Sequence, residues 1–159
     1  PLFSVLDAHT KSEKIVVLPN SDTGSDVFMQ ELGAYKSKAG FHFFENITRD
    51  DYLNFLAVSS VLVGNSSSGV LEAGYFKLPV VDVGSRQAGR ERGRNVLSSG
   101  YESRMVEVAL ATALSEDFRR IAQTPEHPYG EGFVGKKIVD IITKKISEPD
   151  LFYKRFTYA

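Results

Sequence analysis

A run of small and hydroxyl-bearing residues, GNSSSG from Gly64 to Gly69, lies between a short apolar segment and an amphipathic one. Small residues let a ligand approach the backbone, and serine hydroxyls add hydrogen-bond donors. A helix beginning here would offer free N–H groups and a positive dipole end, which favour phosphate. The run lacks the ending of a P-loop and the spacing of a nucleophile elbow. It is compatible with both phosphate binding and ordinary helix capping. The candidate ligand contacts are Ser66, Ser67, Ser68 and Gly69.

Glu72 follows this serine turn by one helical turn and is expected on the same helix face as Ser68. A carboxylate in that position can accept hydrogen bonds from both hydroxyls of a ribose. The alternative is a glutamate that only favours the positive end of the helix.

A loop rich in arginine and glycine, residues 84–94, follows the next apolar run. Arginine suits bidentate contact with phosphate, and glycines let a loop fold over a ligand. The candidate contacts are Arg86 and Arg90. The alternatives are a solvated basic loop or an RNA-binding patch, and the near-neutral charge of the chain disfavours the latter.

The segment after the first apolar run supplies a third polar group, with Asn20, Asp22 and Ser25 as possible cleft or regulatory residues. A turn followed by a helix cap explains the same residues. The three histidines have no metal-like spacing, and no general base is evident. We therefore expect no catalytic residue and no metal ligand in this chain.

Apolar β-branched runs alternate with amphipathic stretches along the whole sequence. The predicted strands are 14–18, 41–44, 61–63, 79–83 and 95–97. The predicted helices are one starting at Leu2, 25–38, one capped by Thr48, 68–76, 105–114, 115–123 and 133–146. This alternation predicts an α/β fold, a Rossmann-like doubly wound parallel sheet with helices on both faces. Such sheets bind ligands at the carboxyl ends of their strands, where both candidate loops lie.

Composition limits the classes of function. The 159 residues suffice for one domain, the net charge is −1, and there is no cysteine. No apolar run is long enough to span a membrane, and no signal peptide is visible. We expect a cytoplasmic protein that binds neither nucleic acid nor membrane and needs no cofactor.

Several motifs together resemble the hydrolysing UDP-N-acetylglucosamine 2-epimerases, especially the branch serving sialic-acid biosynthesis. They are GNSSSGVLE from Gly64 to Glu72, GSRQ-x-GR from Gly84 to Arg90, PN-x-D-x-GS from Pro19 to Ser25, and the terminal FYKRF from Phe152. They follow one another over nearly the whole chain.

The resemblance implies a two-domain GT-B architecture with UDP in the interdomain cleft. Residues 1–159 would be one UDP-binding domain, the second of the two, without its first strand and its N-terminal partner domain. Ser66 and Ser67 would contact the phosphates, Glu72 the ribose, and Arg86 the region near the phosphates. Asn20 would lie near a feedback site found in some members.

The family's reaction removes the proton at sugar C2, eliminates UDP to give a glycal, and adds water. Its catalytic carboxylates lie in the first domain and its catalytic histidine on the strand before this chain begins. The implied partners are a UDP-sugar, the N-terminal domain and, at full length, further copies of the protein. The alternatives are a GT-B glycosyltransferase domain, a non-catalytic nucleotide-sugar-binding module, or a Rossmann-like domain whose serine turn is only a cap.

Overall fold

The structure is a computed structural model that describes residues 2–18, 31–124, 127–130 and 132–148. The chain forms two compact units, residues 1–128 and 129–159. The strands described in the first unit are β1 (Lys14–Val17), β2 (Phe41–Phe44), β3 (Leu62–Gly64), β4 (Val80–Val83) and β5 (Val96–Ser99). Its described helices are α1 (Leu2–Ala8), α2 (Arg49–Val58), α3 (Ser68–Leu71), a 3₁₀ helix (Ala73–Phe76), α4 (Ser103–Leu114) and α5 (Glu116–Ala122).

All strand pairs in the described residues are parallel, as the alternating pattern predicts. They form two sheets, a two-stranded β1–β2 and a three-stranded β3–β4–β5, where the sequence suggests one. Within these residues no backbone hydrogen bonds pair β1 or β2 with β3, so the strands are divided between two sheets. In the same described residues β1 pairs only with β2, and β3 pairs only with β4.

Helices cover both faces of the three-stranded sheet. Val81 and Val83 pack with α1, α4 and α5 through buried side chains such as Val106. Val80, which points to the opposite face, packs with Leu56 of α2 and with the 3₁₀ helix. This part of the molecule confirms the predicted α/β fold with parallel strands.

The two-stranded sheet is covered less completely. Phe3 of α1, Leu32 and Phe41 form a small aromatic core on one face. Ile15 and Val17 of β1 point the other way and are 39% and 40% exposed. A β-branched run of this kind is typical of a strand that is buried on both faces. In the described residues only one face of β1 is covered.

Thr48 begins α2 as the sequence predicts. Its hydroxyl accepts a hydrogen bond from the backbone N–H of Asp51 at 3.1 Å and donates to the Asp51 carboxylate at 2.7 Å. The cap fixes the first turn of α2, which carries two side chains of the candidate site.

The helix predicted over residues 68–76 is broken at Glu72. Residues 68–71 are α-helical and 73–76 form a 3₁₀ turn that ends at Lys77, whose φ is 54°. The single-helix prediction is wrong here because the backbone of Glu72, with φ −117°, departs from helical geometry between the two segments. Gly69 brings the first turn close to β4, where an added Cβ would lie 2.9 Å from Val80 Cγ1. A four-residue helix has only a small dipole, so the helix-end argument for anion binding loses most of its force.

The second unit contains α6 (Val134–Lys145), close to the predicted 133–146. Its apolar side chains are about half exposed within that unit, including Val134, Ile138, Ile141 and Ile142. Across the described residues of both units, no helix is long and apolar enough to cross a bilayer.

Candidate functional site

The serine turn lies directly after β3, at the carboxyl end of that strand. Ser66 is exposed, Ser67 is half-buried, and Ser68 is 7% exposed. The backbone N–H of Ser68 donates to Ser66 Oγ at 3.3 Å, and that of Gly69 donates to the Ser66 carbonyl at 3.2 Å. These N–H groups are therefore already engaged. The hydroxyls of Ser66 and Ser67 are the groups best placed to meet a ligand.

Glu72 ends α3, and its backbone N–H donates to the Ser68 carbonyl at 2.9 Å, which confirms the predicted one-turn spacing. Its side chain is 25% exposed, and Oε1 lies 2.9 Å from Nη2 of Arg49, which is 72% exposed. Arg49 was not a candidate from the sequence. It is 23 residues away along the chain, and only the packing of α2 against the 3₁₀ helix and its neighbours brings the two charges together.

Tyr52, one turn after Arg49 on α2, is a second residue that sequence reasoning missed as functional. Burial raises the pKa of its phenol above the usual 10.0, and the negative charge of Glu72 raises the pKa further. Hydrogen bonding with Ser68 and Ser66 acts in the opposite direction. The phenol thus faces the same serines and glutamate that the sequence singled out, and it stays protonated at neutral pH.

The loop at residues 84–94 adjoins the serine turn, as expected for loops at the ends of neighbouring parallel strands. Gln87 is 3% exposed, and its Nε2 donates to the Asn65 carbonyl at 2.8 Å. Arg86 and Arg90 are exposed on this loop. The structure therefore brings the candidate arginine loop to the candidate phosphate turn.

Arg92 behaves differently from the other arginines of the loop. Its Nη1 lies 2.9 Å from Oδ2 of Asp82 in β4, and its side chain is 23% exposed. It also donates to Ser98 Oγ at 2.6 Å and to the Gln87 carbonyl at 2.9 Å. One arginine of the loop is thus directed into the protein, and the basic segment is not uniformly solvated.

The remaining polar candidates and the histidines either lie outside the described residues or make contacts of their own. Asn20, Asp22 and Ser25 lie outside the described residues. His42 pairs with Glu13 at 2.7 Å on the surface, distant in sequence from the serine turn. His127 is half-buried and lies against Tyr75, with ring centroids 4.0 Å apart and ring planes tilted by 31°. No group of three metal-binding side chains occurs in the described part of the chain.

A cleft of about 380 Å³ lies away from the serine turn and the arginine loop. It is lined mainly by β5 and α4, with Leu97, Met105 and Val108 among its side chains.

Parallel α/β units whose polar residues collect at neighbouring strand ends define a class of proteins that bind ligands at the sheet edge. Within that class, residues 2–143 match the UDP-N-acetylglucosamine 2-epimerase family. The match covers most of the chain, and the chain belongs to this family.

Two curated relatives and one solved structure illustrate the match. The Escherichia coli polysialic acid biosynthesis protein P7 is 30% identical over 142 residues, 89% of this chain and 36% of the relative. The UDP-N,N'-diacetylbacillosamine 2-epimerase (hydrolyzing) of Legionella pneumophila is 33% identical over 135 residues, 84% of this chain and 34% of the relative. The chain thus spans about a third of the length of these relatives.

The S. aureus MnaA–UDP co-structure superimposes with a TM-score of 0.69 at 20% identity, covering 99% of this chain and 42% of that one. At this level of identity the match shows a shared fold. It confirms that the α/β architecture with parallel strands is shared with part of that structure.

Proposed function

We propose that this chain is the UDP-binding half of a hydrolysing UDP-N-acetylglucosamine 2-epimerase, which releases UDP and a 2-epimerised sugar such as N-acetylmannosamine. The observation that carries the proposal is the position of Glu72. Its carboxylate lies beside the serine turn, to which the arginine loop is bonded through Gln87 and Asn65. Family membership supports the reaction class, and the motifs from Gly64 to Arg90 support the hydrolysing branch.

The exposed groups of the site have distinct proposed roles. The hydroxyls of Ser66 and Ser67 donate to the diphosphate, and the guanidinium groups of Arg86 and Arg90 neutralise it. Glu72 accepts hydrogen bonds from the two ribose hydroxyls. Its ion pair with Arg49 supports this role, since the pair orients the carboxylate beside the serine turn.

Ser68 and Gly69 have a different share in the proposed site. Both are buried, and Gly69 packs on β4. Their burial favours a part in shaping the turn over direct contact through side chains. Asn20, Asp22 and Ser25 remain predictions as cleft or regulatory residues.

The chemistry at C2 requires a base within hydrogen-bond reach of the C–H, with a suitably tuned pKa. Glu72 is paired with Arg49 and assigned to the ribose, so it is not that base. We assign proton removal and elimination to the domain that completes the cleft. This chain then binds and orients the UDP leaving group, and its arginines and hydroxyls stabilise the negative charge that UDP gains.

The domain assignment is also a proposal. The separation of the parallel strands into β1–β2 and β3–β4–β5 is consistent with a sheet that lacks one central strand between β1 and β3. The exposure of Ile15 and Val17 supports it, because such a strand and its flanking elements would cover them. We also propose that the full-length protein has a partner N-terminal domain. It assembles with further copies of itself and acts in the cytoplasm.

Calorimetry with UDP, UMP and uridine tests the proposed site. We expect UDP to bind at least about tenfold more tightly than uridine, which corresponds to about 1.4 kcal/mol and matches one or two charge-assisted hydrogen bonds. The affinity itself will be modest, since half of the cleft belongs to another domain. Equal affinities for UDP and uridine would remove the diphosphate site from the proposal.

A further inference from the structure

A buried carboxylate lies beneath the proposed site and has no assigned role in it. Asp82 is the third residue of β4, is 2% exposed, and is flanked in the sheet by Gly64 of β3 and Ser98 of β5. Alternation along the strand turns its side chain to the same face as Val80, the face covered by α2 and the 3₁₀ helix. A charge at this depth needs a compensating partner.

Arg92 supplies that partner from the arginine loop. Its Nη1 lies 2.9 Å from Asp82 Oδ2 and donates to Ser98 Oγ, while Nη2 donates to the Gln87 carbonyl. Gln87 in turn donates through Nε2 to the Asn65 carbonyl. A continuous chain of polar contacts therefore connects the ends of β3, β4 and β5.

This chain of contacts is a poor way to stabilise the fold. The desolvation of a buried ion pair often equals or exceeds the attraction within it, and well-packed apolar residues frequently replace such a pair without loss of stability. Neither oxygen of Asp82 accepts a well-aligned hydrogen bond from the described residues, which leaves much of its desolvation uncompensated. What the pair does provide is a fixed direction for the loop, since the planar guanidinium spans three acceptors at once.

We propose that Asp82, Arg92 and Gln87 are positioning residues, which hold the arginine loop against the serine turn so that both engage one diphosphate. The inference rests on the proposed function, because it assigns these buried residues to the same UDP site. They contact no ligand themselves. They act through the exposed Arg86 and through the serine turn, to which Asn65 belongs.

An ion pair that serves only stability leads to a different expectation. In that case UDP affinity follows the stability of the variants, and any change that keeps the protein folded keeps binding. In the positioning role, stability and affinity separate. An apolar replacement of the pair keeps the fold, but frees the loop and weakens binding.

The decisive variant is the double substitution Asp82→Leu/Arg92→Met. We expect it to unfold at a denaturant concentration equal to or above that of the wild type and to bind UDP at least about tenfold more weakly. Amide hydrogen exchange should become faster in residues 85–94, while the strands β4 and β5 stay protected. Gln87→Met, which removes the donor to Asn65 at similar volume, is the second variant and should weaken UDP binding in the same direction.

The control is Arg119→Met on α5, an exposed arginine outside the polar network. It should leave UDP affinity and loop exchange unchanged. Wild-type-like UDP affinity in the stable double variant overturns the positioning role and leaves the UDP site intact. If the wild type does not bind UDP, the proposed function is wrong. In that case amide hydrogen exchange still tests the positioning role, and unchanged exchange of residues 85–94 in the double variant overturns it.

Discussion

The serine turn and the arginine loop contribute to one proposed site but are held in place by different physical means. The serine turn is fixed by packing: Gly69 lies flat against Val80, and the adjoining 3₁₀ helix buries Ala73 completely. The arginine loop packs closely only at its first residue, where Gly84 lies against the Tyr101 ring, and beyond that point Gln87 and Arg92 hold it by polar contacts. One region therefore depends mainly on close fit and the other mainly on charge and hydrogen bonding, so they should fail differently when they are altered.

The largest difference concerns the two ion pairs, one in each region. Removing the arginine of the buried pair with Arg92→Met leaves Asp82 buried and unpaired, and should lower the free energy of unfolding by about 3 kcal/mol or more. The matched change Arg49→Met breaks an exposed pair and should cost about 0–1 kcal/mol. Urea denaturation of both variants at low and high salt measures the contrast. Equal costs would show that the arginine loop is not anchored by its buried charge.

Glu72→Ala tests the region of the serine turn through its effect on UDP binding, not through its effect on stability. If the carboxylate holds the ribose, UDP affinity should fall by about 1.5–3 kcal/mol, as for hydrogen bonds to a charged group. The preference for UDP over 2′-deoxy-UDP should shrink as well. Calorimetry with both nucleotides measures this. If the preference for UDP over 2′-deoxy-UDP is unchanged in the variant, Glu72 acts only as a charge at the helix end.

Gly69→Ala tests the packing that fixes the serine turn. The added methyl would lie 2.9 Å from Val80 Cγ1, so overpacking should cost about 1–3 kcal/mol of stability. Gly135→Ala on α6 is the control, because nothing lies within 4 Å of its added methyl and alanine favours a helix. Thermal unfolding of the two variants gives the comparison. A Gly69→Ala protein as stable as the Gly135→Ala protein would mean that the turn is not held by close fit.

The sequence predicted the features that depend on local patterns. The strands at 14–17 and 41–44 follow from β-branched and aromatic runs, and the start of α2 follows from Thr48 and Asp51. The adjacency of the two loops follows from the parallel order of β3 and β4. Each of these rests on residues close together in sequence or on a general rule of sheet topology.

The sequence did not predict the pairs that fold-level packing creates. Arg49 and Glu72 are 23 residues apart on separate helices, and no local pattern marks them as partners. In the sequence, Asp82 is a single polar residue in an apolar strand, and its partner Arg92 is one of four arginines in the same loop. The break of the helix at Glu72 and the close approach of Gly69 to Val80 are likewise marked by no local pattern of residues.

The smallest expected effect concerns His127, which lies on the serine side of the comparison, against the 3₁₀ helix. Burial lowers the pKa of His127 below the usual 6.5, and a hydrogen bond to the backbone of Leu71 offsets part of that. Because the unfolded chain binds this proton at higher pH than the folded one, stability should rise with pH between the folded pKa and 6.5 and be lost as pH falls through that window. His127→Gln should flatten this slope when unfolding is measured between about pH 5.5 and 7.5. His42→Gln, at an exposed histidine, is the control, and an unchanged slope in His127→Gln would mean that burial does not disfavour the charged ring of His127.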